Sequence, residues 1–440
     1  MVEITNLPNG IRVITDKMAD VETVSLGIWV GVGSRYEEKQ INGISHFMEH
    51  MAFKGTNKRT ALQIAEEIEN VGGDINAYTA DDKTAFHAKV LKEDVPMAIS
   101  VLSDIFQHSI LPPEELERER GVVIQEIGRC NDSPDRLIFD LAGQTAYPDQ
   151  PFGRPTLGTI DIIQSMSRET LLSYYHDEYI TPRIVFSAAG NLNHQQIVDC
   201  VMSSLTDLKQ SGGRSMEKAE YKGGDLRKSK DRDQVNLILS LHGLEYSHPL
   251  RYAQSVLAAI LGGGMSSRLF QEVREKRGLV YSIFAHSSSD VDTGDFVIYA
   301  GTGEKQVAEL LPVVCDELLK VESTLTEQEI RRAKTQIKAA LLMQREDTSA
   351  RCDSNACCLL NHNRYIDKDE IVQKIEQVDK EALVKTMNLL LSSRPTLATL
   401  GPIKHVMDYD ELCCRLKQPK VLKHQNRAVD RDELCHRSKV

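Results

Sequence analysis

No stretch of the chain comes near the roughly 18 consecutive apolar residues of a membrane-spanning helix, so no such span is expected. No C-x-x-C occurs. The nine cysteines are odd in number and two pairs are adjacent, Cys357-Cys358 and Cys413-Cys414. That argues against a disulfide framework and a cysteine-based metal site, and suits reduced thiols in a cytosolic compartment. Positive charge is in deficit: 53 Lys and Arg against 64 Asp and Glu leave a net −11. Nucleic acid and anionic membrane surfaces are therefore poor partners, while a cationic peptide is compatible. The first residues show neither a basic stretch leading into an apolar one nor an Arg-rich amphipathic presequence. The expectation is a bacterial cytoplasmic protein, or a mature chain of the mitochondrial matrix. Gly31-Val32-Gly33 lacks the Lys-Ser/Thr of a phosphate loop, so no nucleotide site is read there.

What is present is enough hydrophobic sequence, 41% of 440 residues, for two or three domains with real cores. The stretch around which the rest is organised is His46-Phe47-Met48-Glu49-His50. It reads H-x-x-E-H. On a helix His46 and His50 lie one turn apart on one face and can share a metal ion, with Glu49 reaching the same side. A zinc ion there would lower the pKa of a bound water from about 15.7 to near 7, and Glu49 could take its proton. With 13 His and 64 acidic residues, about 0.06 chance occurrences of the pattern are expected. A catalytic zinc normally has three protein ligands. Candidates for the third lie in a helix beginning at Pro112-Pro113, where Glu119 and Glu126 are two turns apart on one face. Periodicity does not choose between them.

Further elements follow from pattern. Residues 1–30 read as two strands, the first after an Asn9-Gly10 turn and the second over 24–30. Helices are expected over 41–53, 60–70, 91–109, 113–130, 134–146, 168–178 and 193–207, and a strand over 184–189. Ile75–Ala80 and Lys83–Val90 read as an antiparallel pair whose edge could hold an extended peptide. His87 reads as structural.

The plan then repeats. Val235–Leu241 matches the strand at Val24 with an offset of 211 residues, and Leu325–Arg332 matches Leu111–Arg118 with an offset of 214. This suggests a tandem duplication, with residues 1–208 as an N-terminal metal-binding domain, 209–233 a linker, 234–416 a homologous domain and 417–440 a polar, poorly packed tail. His424 and His436 in that tail read as surface residues. The second copy has Ser255–Ile260 in place of the metal helix, so the expectation is one Zn2+ per chain.

Six segments together resemble a known family: Gly43–Thr56, Gly72–Thr79, Glu117–Glu126, Tyr147–Gly158, Leu261–Phe270 and Arg274–Ser282. From about Val2 to about Leu416 the chain resembles the pitrilysin-type (inverzincin) zinc metallopeptidases, nearest to the β subunit of mitochondrial processing peptidase and its bacterial homologues. The resemblance implies an α+β fold of two tandem homologous domains, each a largely antiparallel sheet with helices packed on one face. It implies Glu126 as third metal ligand, Glu119 as the acid supporting the site, and Glu49 as catalytic base. It gives substrate binding to the edge strand at Asn76 and Ala77, and makes Arg274 and Tyr281, which reach across to the metal half, catalytic groups that grip the substrate near the cut and stabilise the oxyanion. It makes Leu261–Ser267 a glycine-rich gate. The family reads a substrate arginine with a Glu and an Asp; the matching positions here are Arg136 and Asp140. An arginine beside that pocket opposes a cationic side chain, so substrates are expected to be short unfolded peptides with weaker basic preference. The resemblance implies a homodimer, or a heterodimer with a related subunit. The alternative it carries is a non-catalytic scaffold, or a subunit that depends on a partner.

Overall fold

A computed structural model describes residues 1–417. The remainder of the tail, with His424 and His436, lies outside the described residues.

The Asn9-Gly10 turn forms because Gly10 takes φ +97°, where a side chain would be strained. It joins β1 (Val2–Asn6) to β2 (Arg12–Lys17), and β3 (Thr23–Val30) follows. Residues 1–30 thus hold three strands rather than two, since the hairpin recruits the polar segment ahead of its turn. β4 (Asp74–Thr79), β5 (Thr84–Leu91) and β6 (Ile184–Gly190) complete a six-stranded sheet in the order β1-β2-β6-β3-β5-β4. Only the β2–β6 pair is parallel.

The helices of this half are α1 (Ile44–Ala52), α2 (Ala61–Glu69), α3 (Val95–His108), α4 (Pro113–Asp132), α5 (Pro134–Ala146), α6 (Ile160–Ser165), α7 (Arg168–Glu178) and α8 (His194–Ser204). α2 starts at Thr60 with a capping box closed by Gln63. Alternation along β3 and β5 sends Val24, Leu26, Ile28, Phe86, Ala88 and Val90 to one face, where they meet Phe47 and Met51 of α1.

The second half has β7 (Gly224–Ser229), β8 (Gln234–His242), β9 (Val280–Ser289), β10 (Gly294–Gly303) and β11 (Thr396–Gly401), in the order β7-β11-β8-β10-β9. Its helices are α9 (Arg251–Gly262), α10 (Val307–Thr324), α11 (Glu327–Gln344), α12 (Thr348–His362), α13 (Lys368–Glu376), α14 (Lys380–Ser392) and α15 (Tyr409–Lys417). Laying β8 on β3 makes the two strand orders coincide, with β1 as an extra edge strand. α11 then matches α4, and α9 takes the place of α1. Within the stretch 209–233, residues 224–229 form β7, which pairs in parallel with β11 at the sheet edge.

Each half packs its own helices on one sheet face. The opposite face is covered by a helix from the other half. Leu137, Ile138 and Leu141 of α5 pack on Ile238, Val297, Ala398 and Leu400 of the second sheet. In return Cys352, Ala356 and Leu359 of α12 pack on Ile14, Trp29, Ala85 and Val185 of the first. The sheets are therefore buried on both sides, and β6 reads as a continuous apolar and small run, IVFSAAG, instead of alternating.

Candidate metal centre

α1 begins unusually. Its N-cap is Gly43, at φ +95° and with no side-chain cap. A Cβ there would lie 2.7 Å from the Leu157 carbonyl oxygen, so the Tyr147–Gly158 loop closes directly over the helix start. Glu37 supplies the cap from outside the helix. Its buried carboxylate accepts from the Gly43 and Ser45 amides at 2.7 and 2.9 Å, and from Asn42 Nδ2 at 2.9 Å. Burial nevertheless pushes its pKa up to about 7, against the pull of those hydrogen bonds. Ser45 Oγ also bonds the buried Tyr174 hydroxyl at 2.7 Å. Nothing in the sequence pattern marks Glu37, because it acts through a loop rather than a helical repeat.

Held this way, His46 and His50 turn the same edge to α4. Glu126 Oε2 lies 3.5 Å from His46 Nε2 and 3.5 Å from His50 Nε2. Among the described residues these three form the one group able to hold a metal ion. Two ligand atoms at the usual ~2.0–2.1 Å from a tetrahedral zinc are about 3.3–3.4 Å apart, so the triplet fits the ion. The structure therefore brings together the two histidines and the distal of the two candidate acids. Burial, with His50 nearby, pulls the His46 pKa down to about 4, which keeps the ring neutral as a ligand must be.

Glu119 is not in the triplet. Its Oε2 accepts from His50 Nδ1 at 2.9 Å and its Oε1 pairs with Lys54 at 2.7 Å. Burial raises its pKa, but the bonds from Lys54 and His50 outweigh that and hold it low, as a carboxylate. Fixing the Nδ1 proton leaves Nε2 as the ligand. Glu119→Gln is expected to weaken zinc binding about 10–100-fold with little change in melting temperature of the metal-free protein. Competition against a chromophoric chelator reads this directly, and unchanged affinity would remove Glu119 from the site.

Glu49 faces the same space. Its Oε2 accepts from Thr79 Oγ1 at 2.6 Å, a contact the sequence did not disclose. Burial raises its pKa, Glu126 adds to this, and Thr79 and His50 oppose it. Thr79 ends β4, which is the edge strand of its sheet. On that strand the Ala77 amide donates to its neighbour Asn76 Oδ1 at 2.8 Å.

Arg274 and Tyr281 lie in the second half. Arg274 is on a π-helical turn, Phe270–Glu275, stacked over Phe270 at 4.8 Å, and Tyr281 is 67% exposed at the start of β9. Neither makes a hydrogen bond or ion pair to the metal half.

A cavity of about 330 Å3 lies where the halves meet. Asp81, just beyond Thr79, and Asp140 line it from the first half, Asp290 and Asp295 from the second, with Arg154 and His286. Burial pushes Asp140 up to about 6, and Asp81 adds to this. It pushes Asp290 to about 7, with Asp82, Asp295 and Asp81 adding, and Asp295 to about 7 against a bond from Tyr147. Arg136 is exposed and is not among the residues that line this cavity. Its neighbour Asp135 turns to the second sheet, accepting from the Tyr299 hydroxyl and Asn236 at 2.7 Å each.

The raised carboxyls give a pH dependence with a definite sign. The folded chain holds these protons more tightly than the unfolded one. The associated stability is fully present below about pH 4 and is lost as pH rises through about 7. Asp290→Asn is expected to raise the melting temperature by a few degrees at pH 8 and hardly at all at pH 4.5. Thermal unfolding at the two pH values checks it, and equal shifts at both would refute it.

The family model described as insulinase (peptidase family M16) matches residues 12–160, and that of the peptidase M16 inactive domain matches residues 165–337. The chain is 40% identical to a protein of Rickettsia felis over 91% of this chain and 97% of that one, and 36% identical to one of Bacillus subtilis over 91% and 98%. Both bear the description uncharacterized zinc protease. Among solved structures, a peptidase M16 inactive domain from Pseudomonas fluorescens superposes with TM-score 0.85 at 18% identity, covering 91% of this chain and 98% of that one. A protease from Helicobacter pylori gives 0.84 at 22%, covering 91% and 99%.

Proposed function

Because the chain belongs to peptidase family M16, we propose that it is a zinc endopeptidase that cuts extended, unfolded peptides and favours basic, presequence-like ones. The observation that carries this reading is the convergence of His46 Nε2, His50 Nε2 and Glu126 Oε2 beside the half-buried carboxyl of Glu49. A bound zinc ion supplies a Lewis acid and an acidified water. Glu49 takes the proton of the attacking water and delivers it to the departing amine, and its raised pKa suits both halves of that task. Thr79 orients it. β4 receives the peptide as an added strand, the Ala77 amide exchanging Asn76 Oδ1 for a substrate carbonyl. Arg274 and Tyr281 are the second half's donors to the substrate carbonyl near the cut.

The four aspartates of the junction cavity support the basic preference. Asp140, Asp290 and Asp295 form no ion pair with any described residue, and a guanidinium or ammonium entering there would relieve their mutual repulsion. With Arg136 outside the cavity, its charge no longer opposes such a side chain.

The test pairs metal analysis with cleavage of two peptides, one basic and one neutral and unfolded. About one zinc per chain and chelator-sensitive cutting are expected, faster for the basic peptide. Asp140→Asn is expected to lower kcat/KM about tenfold for the basic peptide and little for the neutral one, equivalent to about 1.4 kcal/mol. Metal without cutting by the isolated chain would indicate a required partner subunit. Neither metal nor cutting would defeat the proposal.

A further inference from the structure

A second cavity, of about 190 Å3, lies where α12 and the end of α11 meet the start of α9. It is remote from the metal centre, since α12 covers the face of the first sheet opposite α1. Among the described residues three guanidinium groups line it, from Arg251, Arg345 and Arg351, together with His362, and no carboxylate does. In a chain of net charge −11 this is a local reversal of sign. From behind, the single carboxylate of Asp16 pairs with Arg345 at 3.2 Å and Arg351 at 3.3 Å, and the terminal ammonium lies 3.8 Å from it. Arg251 has no carboxylate partner among the described residues. It stacks over Tyr252 at 4.6 Å and donates to His362 Nε2 at 3.3 Å. Glu370 of α13 acts on Arg251 through space, and accepts two hydrogen bonds from Arg364 at 2.9 and 2.7 Å.

Two donors of the lining residues are buried without acceptors: Asn355 Nδ2, on a residue 1% exposed, and Arg345 Nε. A buried donor left unpaired costs about 1–3 kcal/mol, so the packing around the cavity carries unrelieved polar strain. Guanidinium forks match the planar or tetrahedral oxygens of carboxylates and phosphates. The volume admits such an ion with a few waters.

We propose that this cavity binds a small oxyanion, held by the guanidinium groups of Arg251, Arg345 and Arg351. α12 springs from the second half yet covers the first sheet. An ion tying it to α9 and α11 would strengthen the clamp between the halves.

Thermal unfolding of the full chain tests this, titrated with inorganic phosphate and separately with succinate at ionic strength held constant by chloride. A saturable rise in melting temperature is expected with at least one of them. The ion that produces it identifies the ligand as phosphate-like or carboxylate-like. In Arg251→Gln the apparent affinity should fall at least about tenfold. Arg251→Lys, which keeps the charge and loses the fork, should show an intermediate loss and serves if the glutamine variant does not fold. His50→Ala should retain the full shift. No saturable shift with either ion, or a shift unchanged in both Arg251 variants, overturns the proposal. A shift abolished in His50→Ala would place the ion at the metal centre and overturns it equally.

Discussion

Replacing Glu49 with glutamine is expected to lower kcat by about 10³-fold while leaving about one zinc per chain. The amide has the shape of the carboxyl and can still accept from Thr79 Oγ1, which lies 2.6 Å from the native oxygen. Glu49 is not one of the three converging ligands, so His46, His50 and Glu126 keep their places. What the amide lacks is a site that takes a proton from water and returns it to an amine. The loss should therefore fall on kcat, with KM for the basic peptide little changed. Steady-state kinetics beside metal analysis separate the outcomes. Undiminished cleavage would exclude Glu49 as the base, whereas loss of zinc together with activity would show it to be structural.

The largest expected effect on stability lies far from the metal. Arg35 is buried in the turn after β3, its side chain inaccessible, and its Nη2 bonds both oxygens of Asp292 at 2.9 and 3.0 Å. Asp292 sits between β9 and β10 and also accepts from the Ala219 amide at 2.8 Å. The guanidinium lies over Phe152 at 4.8 Å, in the loop that closes on the start of α1. One side chain thus joins the metal half, the connecting segment and the second half. Arg35→Ala removes the cation and strands the partly buried Asp292, a change that costs about 3–5 kcal/mol for pairs of this kind. The desolvation penalty, more than the attraction, sets that figure. The double variant Arg35→Met, Asp292→Leu should therefore recover much of the loss. Denaturant unfolding of the single and double variants checks both statements. A single variant as stable as the native chain would mean that the halves are held by their packed helices alone.

The two stabilities have different origins in the chain. α5 and α12 were legible as helices from their apolar spacing, and each is a modest amphipathic segment by itself. Which sheet face they cover was not legible, because the partners of Ile138 and Ala356 lie in the opposite half. The same holds for the substrate side. Asp140 was visible only through family resemblance, and Arg136 beside it suggested a spoiled pocket. In the folded chain Arg136 is exposed, and Asp290 and Asp295 join Asp140 at the cavity from a hairpin some 150 residues later.

By itself the sequence determined the local arrangement: a helix with His46, Glu49 and His50 on one side, a strand pair ending at Thr79, and a duplicated plan with metal chemistry in one copy. These follow from periods of 3.6 and 2, which act over a few residues. Periodicity left Glu119 and Glu126 open and the family resemblance pointed to Glu126; the tertiary structure sets Glu126 Oε2 3.5 Å from both histidine Nε2 atoms and supplies Glu37 as the cap of α1. It also set four carboxylates around one cavity and three guanidinium groups around another. Those choices depend on burial and charge between segments distant in the chain, where no repeat in the sequence records the distance.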